Sequence, residues 1–544
     1  MRRILALSLA LLLLPSIPTS SSAAIKVGDN CTKIGKTALQ SGAKYFCVKR
    51  NSRLIWSKGV AILPNPRAAS ASSGDFFAGK ECETVGTKIT NIFGYLECRE
   101  VANSKKKFFQ LSVYPKAPPT YKSPEDISVC RISDQSKANR SEGPSIAYPV
   151  PTNTLYTTNP KVGQINAIII PVDFPDSPGS GSPKELYDEI VEKSSAWMKW
   201  YTHGKSWYKF QTYDKWLRAP LNSSEYVYAD FFTGPKNDPD IPSSFKTGRR
   251  IFETDIASEF LNLGAKYFDY EGMDNLFILY PRDIKNIWWG AAKLGNFQFS
   301  YSAEDPRSEI IIRDPRLLNV WISAVGAREY FYKYPLWAFF LHENLHNQGI
   351  QGHAPNQGSP LSMMSNQYGL SLPLTSWDTL IMDWQLDSEI YCVQKKSLEQ
   401  TQIELSPLER EEIGTKSVMI KLSDSQILVI ESRRKDKWSS GSATFPGLPD
   451  GFYGLVVYKV DTTKSAMYGV VEPDGADWKD QSDAFAYFIR NQNVSHGYQE
   501  RAPGSGPFDL NFVIYEGETL ITNGVEIKLE RSGDHDLVRI SKVS

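Results

Sequence analysis

YPLWAFFLHENLHNQG, residues Tyr334 to Gly349, decides how the chain is to be read. Pro335 stands where a first helical residue would sit and Gly349 where a helix would end, so the stretch predicts a helix of about fifteen residues. His342 and His346 are four apart on it and share a face, while Leu336, Phe339, Phe340 and Leu345 bury the rest. Two imidazoles then converge without loop closure. Glu343 directly follows the first histidine and completes H-E-x-x-H, close enough to reach a metal-bound water and rotated away from ligation. On zinc that water's pKa would fall to about 7; Glu343 would take its proton, the hydroxide would attack a polarised peptide carbonyl, and the same acid would protonate the leaving amine.

A catalytic zinc needs a third protein ligand and an open fourth position. Gly349 can turn the chain back in a left-handed conformation, which would swing His353 toward the ion. Downstream, SPLSMMSNQYG (359–369) offers Met363 and Met364 for a methionine-containing turn under the site. The plainer alternative is a buried, hydrogen-bonded helix, or a peptidase fold that has lost its metal.

Around this segment, 544 residues exceed one hydrophobic core, and a 41% hydrophobic content is ample for several. Sixty-one basic residues balance 61 acidic ones, so no general electrostatic case arises for nucleic acid, an anionic membrane or a polyacidic substrate. Residues 1–24 combine Arg2 and Arg3, an apolar run from Ile4 to Leu14 and a small-residue end at Ala23 and Ala24, the pattern of a secretory signal peptide. That run is shorter than the about 20 residues a membrane span takes, so the expected mature protein is secreted and extracellular, without a membrane span. Export makes disulfides the natural reading of the six cysteines.

Cys31 and Cys47 have the same spacing as Cys82 and Cys98, which reveals a repeat. VGDNCTKIGKTALQSGAKYFC from Val27 aligns with AGKECETVGTKITNIFGYLEC from Ala78, matching Gly28 to Gly79 and Gly35 to Gly86. Each copy, 25–60 and 77–115, predicts a small β-module of roughly 40 residues whose disulfide contributes roughly 3 kcal/mol. These modules are spacers, or they bind cell-wall or surface polymer. A Pro/Ser-rich linker is expected over 116–154, a mixed α/β catalytic domain over 155–393, and a β-sandwich over 394–544. Within the catalytic domain INAIIIPVDFPD and NLFILYP read as buried strands, and KELYDEIVEKSSAWMKWY as an amphipathic helix. Cys130 and Cys392 remain as a third candidate pair.

With the residues in view, the chain resembles the metzincin-like secreted metallopeptidases, and most closely the immune inhibitor A family. The resemblance rests on FLHENLHNQG, SMMSNQ, SWDTLIMDWQL (376–386), VIESRR, GLVVYKVD and IIIPVDFPDSP, and covers roughly residues 160 to 470. It implies a zinc endopeptidase acting on proteins or peptides outside the cell, with a mixed α/β catalytic domain and β-sandwich additions. It makes His342 and His346 zinc ligands, Glu343 the general base, Gly349 the turn and Met364 the methionine under the metal. The family pattern asks for a ligand at position 352, where this chain has Gly352. Either His353, one place later, supplies it, or Asp378 does.

Other signals are weaker. His203, His496 and His535 are isolated and read as surface or core histidines. Asp238 and Asp240 in NDPDIP are candidates for a calcium site, with a solvated turn as the plainer reading. Tyr368 is a candidate oxyanion donor at a longer spacing from Met364 than some metzincins use. No phosphate-binding loop, nucleophile elbow or dinucleotide fingerprint is evident.

Overall fold

The computed structural model describes residues 26, 28–33, 37–40, 43–50, 53–56, 60–61, 82–91, 94–100, 107–112, 120–135, 147–150, 158–228, 250–251, 253–284, 287, 291–294, 314–325, 335–350, 355, 361–365, 370–439, 447–448, 452–464, 485–496, 498–499 and 508–543. His353, Tyr368, Asp238, Asp240 and the leader 1–24 lie outside the described residues. The chain divides into two compact units, Met1–Val113 and Tyr114–Ser544.

In the smaller unit each repeat folds around its own disulfide, Cys31–Cys47 and Cys82–Cys98, with Cα atoms 5.8 and 5.9 Å apart. In the first copy β1 (Thr37–Gln40) pairs antiparallel with β2 (Ala43–Arg50), and β2 with β3 (Arg53–Trp56) and β4 (Val60–Ala61). In the second, β5 (Lys88–Asn91) pairs with β6 (Gly94–Glu100), and β6 with β7 (Lys107–Ser112). The register repeats as well as the spacing. Cys47 faces Trp56 and Cys98 faces Phe109 across the strands, and the first cysteine of each copy donates its N–H to Leu54 O or Lys107 O at 3.0 Å.

The larger unit opens with a six-stranded sheet. Its strands are β8 (Gly163–Asp173), β9 (Ser206–Gln211), β10 (Leu217–Arg218), β13 (Asn275–Leu279), β14 (Ala291–Leu294) and β15 (Trp321–Ala324), with β11 (Val227–Tyr228) and β12 (Arg250–Ile251) forming a separate short pair. The order is β10-β8-β13-β15-β14, with β9 also on β8; all pairs are parallel except the edge pair β14–β15. Strand alternation explains the layers. Ile165, Ala167, Ile169, Phe277 and Leu279 point to the side of helices α1 (Lys184–Tyr201) and α3 (Leu336–Gln348). Ile168, Ile170, Val172, Leu276 and Ile278 point to the opposite side, where α2 (Glu253–Gly264) lies. Burial on both faces is why these strands read as continuous apolar runs.

After α4 (Ser376–Ile381) the chain builds two facing sheets. One holds β16 (Ile390–Gln394), β18 (Ser417–Lys421), β19 (Gln426–Arg434), β20 (Tyr453–Asp461), β21 (Ala486–Phe488) and β24 (Val513–Ile514); the other holds β17 (Thr401–Leu405), β25 (Thr519–Thr522), β26 (Val525–Arg531) and β27 (Asp536–Lys542). A short pair, β22 (Tyr498–Gln499) and β23 (Phe508–Asp509), stands apart. Leu428, Ile430, Leu455 and Val457 meet Ile403, Ile527, Leu529 and Val538 in the core between the sheets. The other face of the six-stranded sheet, through Val429, Val456, Tyr458 and Val460, joins the core that contains α1 and α3.

Two expected boundaries therefore differ. The sandwich begins at β16, inside the expected catalytic span 155–393, and it shares a core with the α/β layers instead of forming a separate body. Within the expected linker, the described residues 120–135 and 147–150 pack into the core: Ile127, Cys130, Ile132, Ala147 and Val150 are buried, and Cys130 bonds to Cys392 in β16. Long-range packing sets both results, which Pro/Ser content does not reveal. Among the described residues, no helix is long and apolar enough to cross a membrane.

Candidate metal centre

Helix α3 spans thirteen residues, Leu336–Gln348, with Pro335 one step outside it as N-cap. It is buried nearly all round, polar residues included, because it packs against α1 and β15 and shares a core with Leu361, Met363, Met364, Leu370, Leu372 and Leu374. Gly349 ends it with φ 119°, a conformation that a side chain disfavours. The N–H of Ile350 returns to Leu345 O at 3.0 Å, which locks the reversal.

That reversal aims the second histidine. His346 Nδ1 lies 2.9 Å from Ile350 O, and His342 Nδ1 lies 2.9 Å from Met363 O. With each Nδ1 donating to a carbonyl, each Nε2 carries its lone pair outward, and the two Nε2 atoms are 3.2 Å apart with the rings nearly perpendicular at 86°. Two imidazole nitrogens on a tetrahedral zinc, each at about 2.0–2.1 Å, lie about 3.3 Å apart. The pair fits such an ion, and carbonyl-anchored imidazoles are what metal-ligating histidines require.

Glu343 is neither hidden nor open, and desolvation pushes its carboxyl up to about 8. A nearby cation would act in the opposite direction. Met363 and Met364 are fully buried in the turn that follows. The atom that touches His342 is the main-chain oxygen of Met363, a role that no side-chain pattern announces.

Asp378, the reserve ligand, does not join the histidines: among the described residues no three His, Cys, Asp or Glu side chains gather as a metal-holding group. It sits in the first turn of α4, where Thr375 Oγ1 donates to Asp378 Oδ2 at 2.8 Å and accepts the Asp378 N–H at 3.1 Å. Burial raises its carboxyl to about 7 against those hydrogen bonds. The three isolated histidines each take one carboxylate: His203 with Glu389 at 3.0 Å, His496 with Glu518 at 2.9 Å and His535 with Glu412 at 2.6 Å.

Behind the histidine turn lies a charge cluster that sequence reasoning missed. Arg433 on β19 is buried with Glu409 and Glu431, at 2.8 and 3.1 Å. Glu431 and Arg433 are two apart on β19, where the ESRR run places charge within an otherwise apolar strand, but their partner Glu409 lies on a separate segment and gives no periodic signal. Compared with known proteins, the chain matches no family model and no curated protein.

Proposed function

We propose that the chain is a secreted zinc-dependent endopeptidase. The observation that carries this reading is the pair of Nε2 atoms 3.2 Å apart on one helix, each imidazole anchored through Nδ1 to a main-chain oxygen. His342 and His346 would hold the ion, with His353 as third ligand, since Asp378 is engaged at its helix cap. Zinc there supplies Lewis-acid chemistry, lowering the pKa of water to about 7 and polarising a carbonyl. Glu343 takes the proton of the attacking water and returns it to the leaving amine. Gly349 and Met363 keep the imidazoles aimed through their backbone.

The substrate class follows from the adjoining sheet. Helix α3 packs against β15, and β15 pairs with the antiparallel edge strand β14. We infer that an extended peptide adds by main-chain hydrogen bonds along β14, the end of that sheet's strand order among the described residues. Three disulfides suit an oxidising compartment and support export. The test is metal and activity together. The purified chain should carry about one zinc, and its cleavage of casein should vanish with chelator and return with zinc. A chain that refuses zinc, or takes it up and leaves casein intact, sinks the reading.

A second reading concerns the modules, and a charge partition favours it. Residues 25–113 carry 15 Lys and Arg against 6 Asp and Glu, whereas 114–544 carry 44 against 55. The overall neutrality that argued against polyanionic partners thus conceals a basic N-terminal unit. We infer that the modules bind a phosphate-bearing wall polymer, whether the α/β unit is an active peptidase or a relic. Retention of the full chain on that polymer should fall steeply between 50 and about 200 mM salt, as counterion-driven binding does. Equal retention on neutral polysaccharide, or none that salt affects, would remove the inference.

A further inference from the structure

The turn that orients His342 is held from the C-terminal sheet. Arg433 donates through Nη2 to Leu361 O and to Ser371 Oγ, the latter at 3.2 Å. Its Nε and Nη1 go to Glu409 and Glu431, so all three guanidinium nitrogens donate within the protein. Glu409 also accepts from Ser371 Oγ at 2.8 Å, and Glu431 accepts the Ser376 N–H and the Tyr458 hydroxyl, each at 2.6 Å. This cluster therefore grips the chain on either side of His342's partner turn at three points: Leu361, Ser371 and Ser376. Between the first two lies Met363, whose N–H is tied to Pro373 O at 3.1 Å and whose oxygen faces His342 Nδ1.

A buried arginine with two carboxylates contributes little net stability compared with apolar residues of similar volume. Its use here is geometric. Removing rotational slack from the Met363 carbonyl fixes the tautomer and the plane of the His342 ring, and partners of this kind shift metal affinity about 10–100-fold. We propose that Arg433 is a positioning residue for the metal centre, acting through Leu361 O and the Met363 carbonyl on His342. This rests on the histidine pair being a metal site.

The test is Arg433→Lys in the full chain, which keeps the buried positive charge and loses the fork. Zinc affinity should fall severalfold, up to the about 10-fold at which loss of a direct imidazole partner begins, and the visible spectrum of the cobalt-loaded chain should shift. Leu520→Ala, in the outer sheet of the sandwich, serves as a control for general destabilisation and should leave both readings unchanged. Ser371→Ala removes a neutral strut without stranding a charge; it should move the cobalt spectrum in the same direction, and it decides the matter if Arg433→Lys fails to fold. Wild-type affinity and spectrum in the folded variants overturn the proposal, as does an equal loss in Leu520→Ala. If the wild-type chain binds neither zinc nor cobalt, the metal reading itself has failed, and this assignment goes with it.

Discussion

Glu343→Gln is expected to lower casein hydrolysis by about 10²–10⁴-fold while zinc content stays at the wild-type level. The amide keeps the volume of the carboxyl and its place one residue after His342, but it cannot accept a proton. Because the H-E-x-x-H spacing turns Glu343 away from ligation, an ion would keep its imidazoles, whose anchors are the Met363 and Ile350 oxygens and not this side chain. Burial already disfavours the charged carboxyl in the metal-free chain, so removing the charge should not weaken that fold. His342→Ala serves as the contrast: it should lose zinc and activity together. Metal analysis and initial rates on the two variants check the separation of roles. Loss of zinc from Glu343→Gln would make the residue a ligand or a structural group, and residual wild-type rates would remove it from the chemistry.

The histidine pair was legible because everything that places it is local. Pro335 and Gly349 bracket the helix, and the i, i+4 spacing does the rest. The N-terminal pairings were legible for the same reason, since equal cysteine spacing in aligned copies leaves little choice. Strands β8, β13, β18, β19, β20, β26 and β27 also stand out as apolar runs bounded by turn residues. What could not be read is long-range. Cys392 lies on β16, the first strand of a sheet that also packs against α4, so an apparent change of texture there is not a domain boundary. The 120–135 stretch looks polar and proline-broken, yet Ser123 bridges Ile390 O and the Cys392 N–H. Arg433 reaches a carbonyl 72 residues away, which no window along the chain can anticipate.

Replacing Cys130 and Cys392 together by alanine should cost the larger unit about 5–6 kcal/mol, as loop closure predicts for so long a crosslink. The bridge closes a separation of 262 residues, which takes in the whole α/β layer, so the unfolded chain loses more freedom to it than to either N-terminal disulfide. Ile127 and Cys130 are buried, Cys130 Sγ lies 3.5 Å from Met419 O, and Tyr121 donates its N–H to Thr415 Oγ1 at 3.2 Å. The bonds made by Ser123 and Tyr121 keep the 121–130 strap on the outer edge of β16 even when the crosslink is gone, so the loss should appear in global stability before it appears as local fraying. For a unit of this size the cost corresponds to a fall in melting temperature of about 6 °C, readable by calorimetry on the double variant. The module disulfides, closing sixteen-residue separations in the other unit, should leave that transition where it is when they are removed. A double variant that melts with the wild type would mean that the strap's own hydrogen bonds and burial, and not the covalent link, join the two ends of the α/β layer.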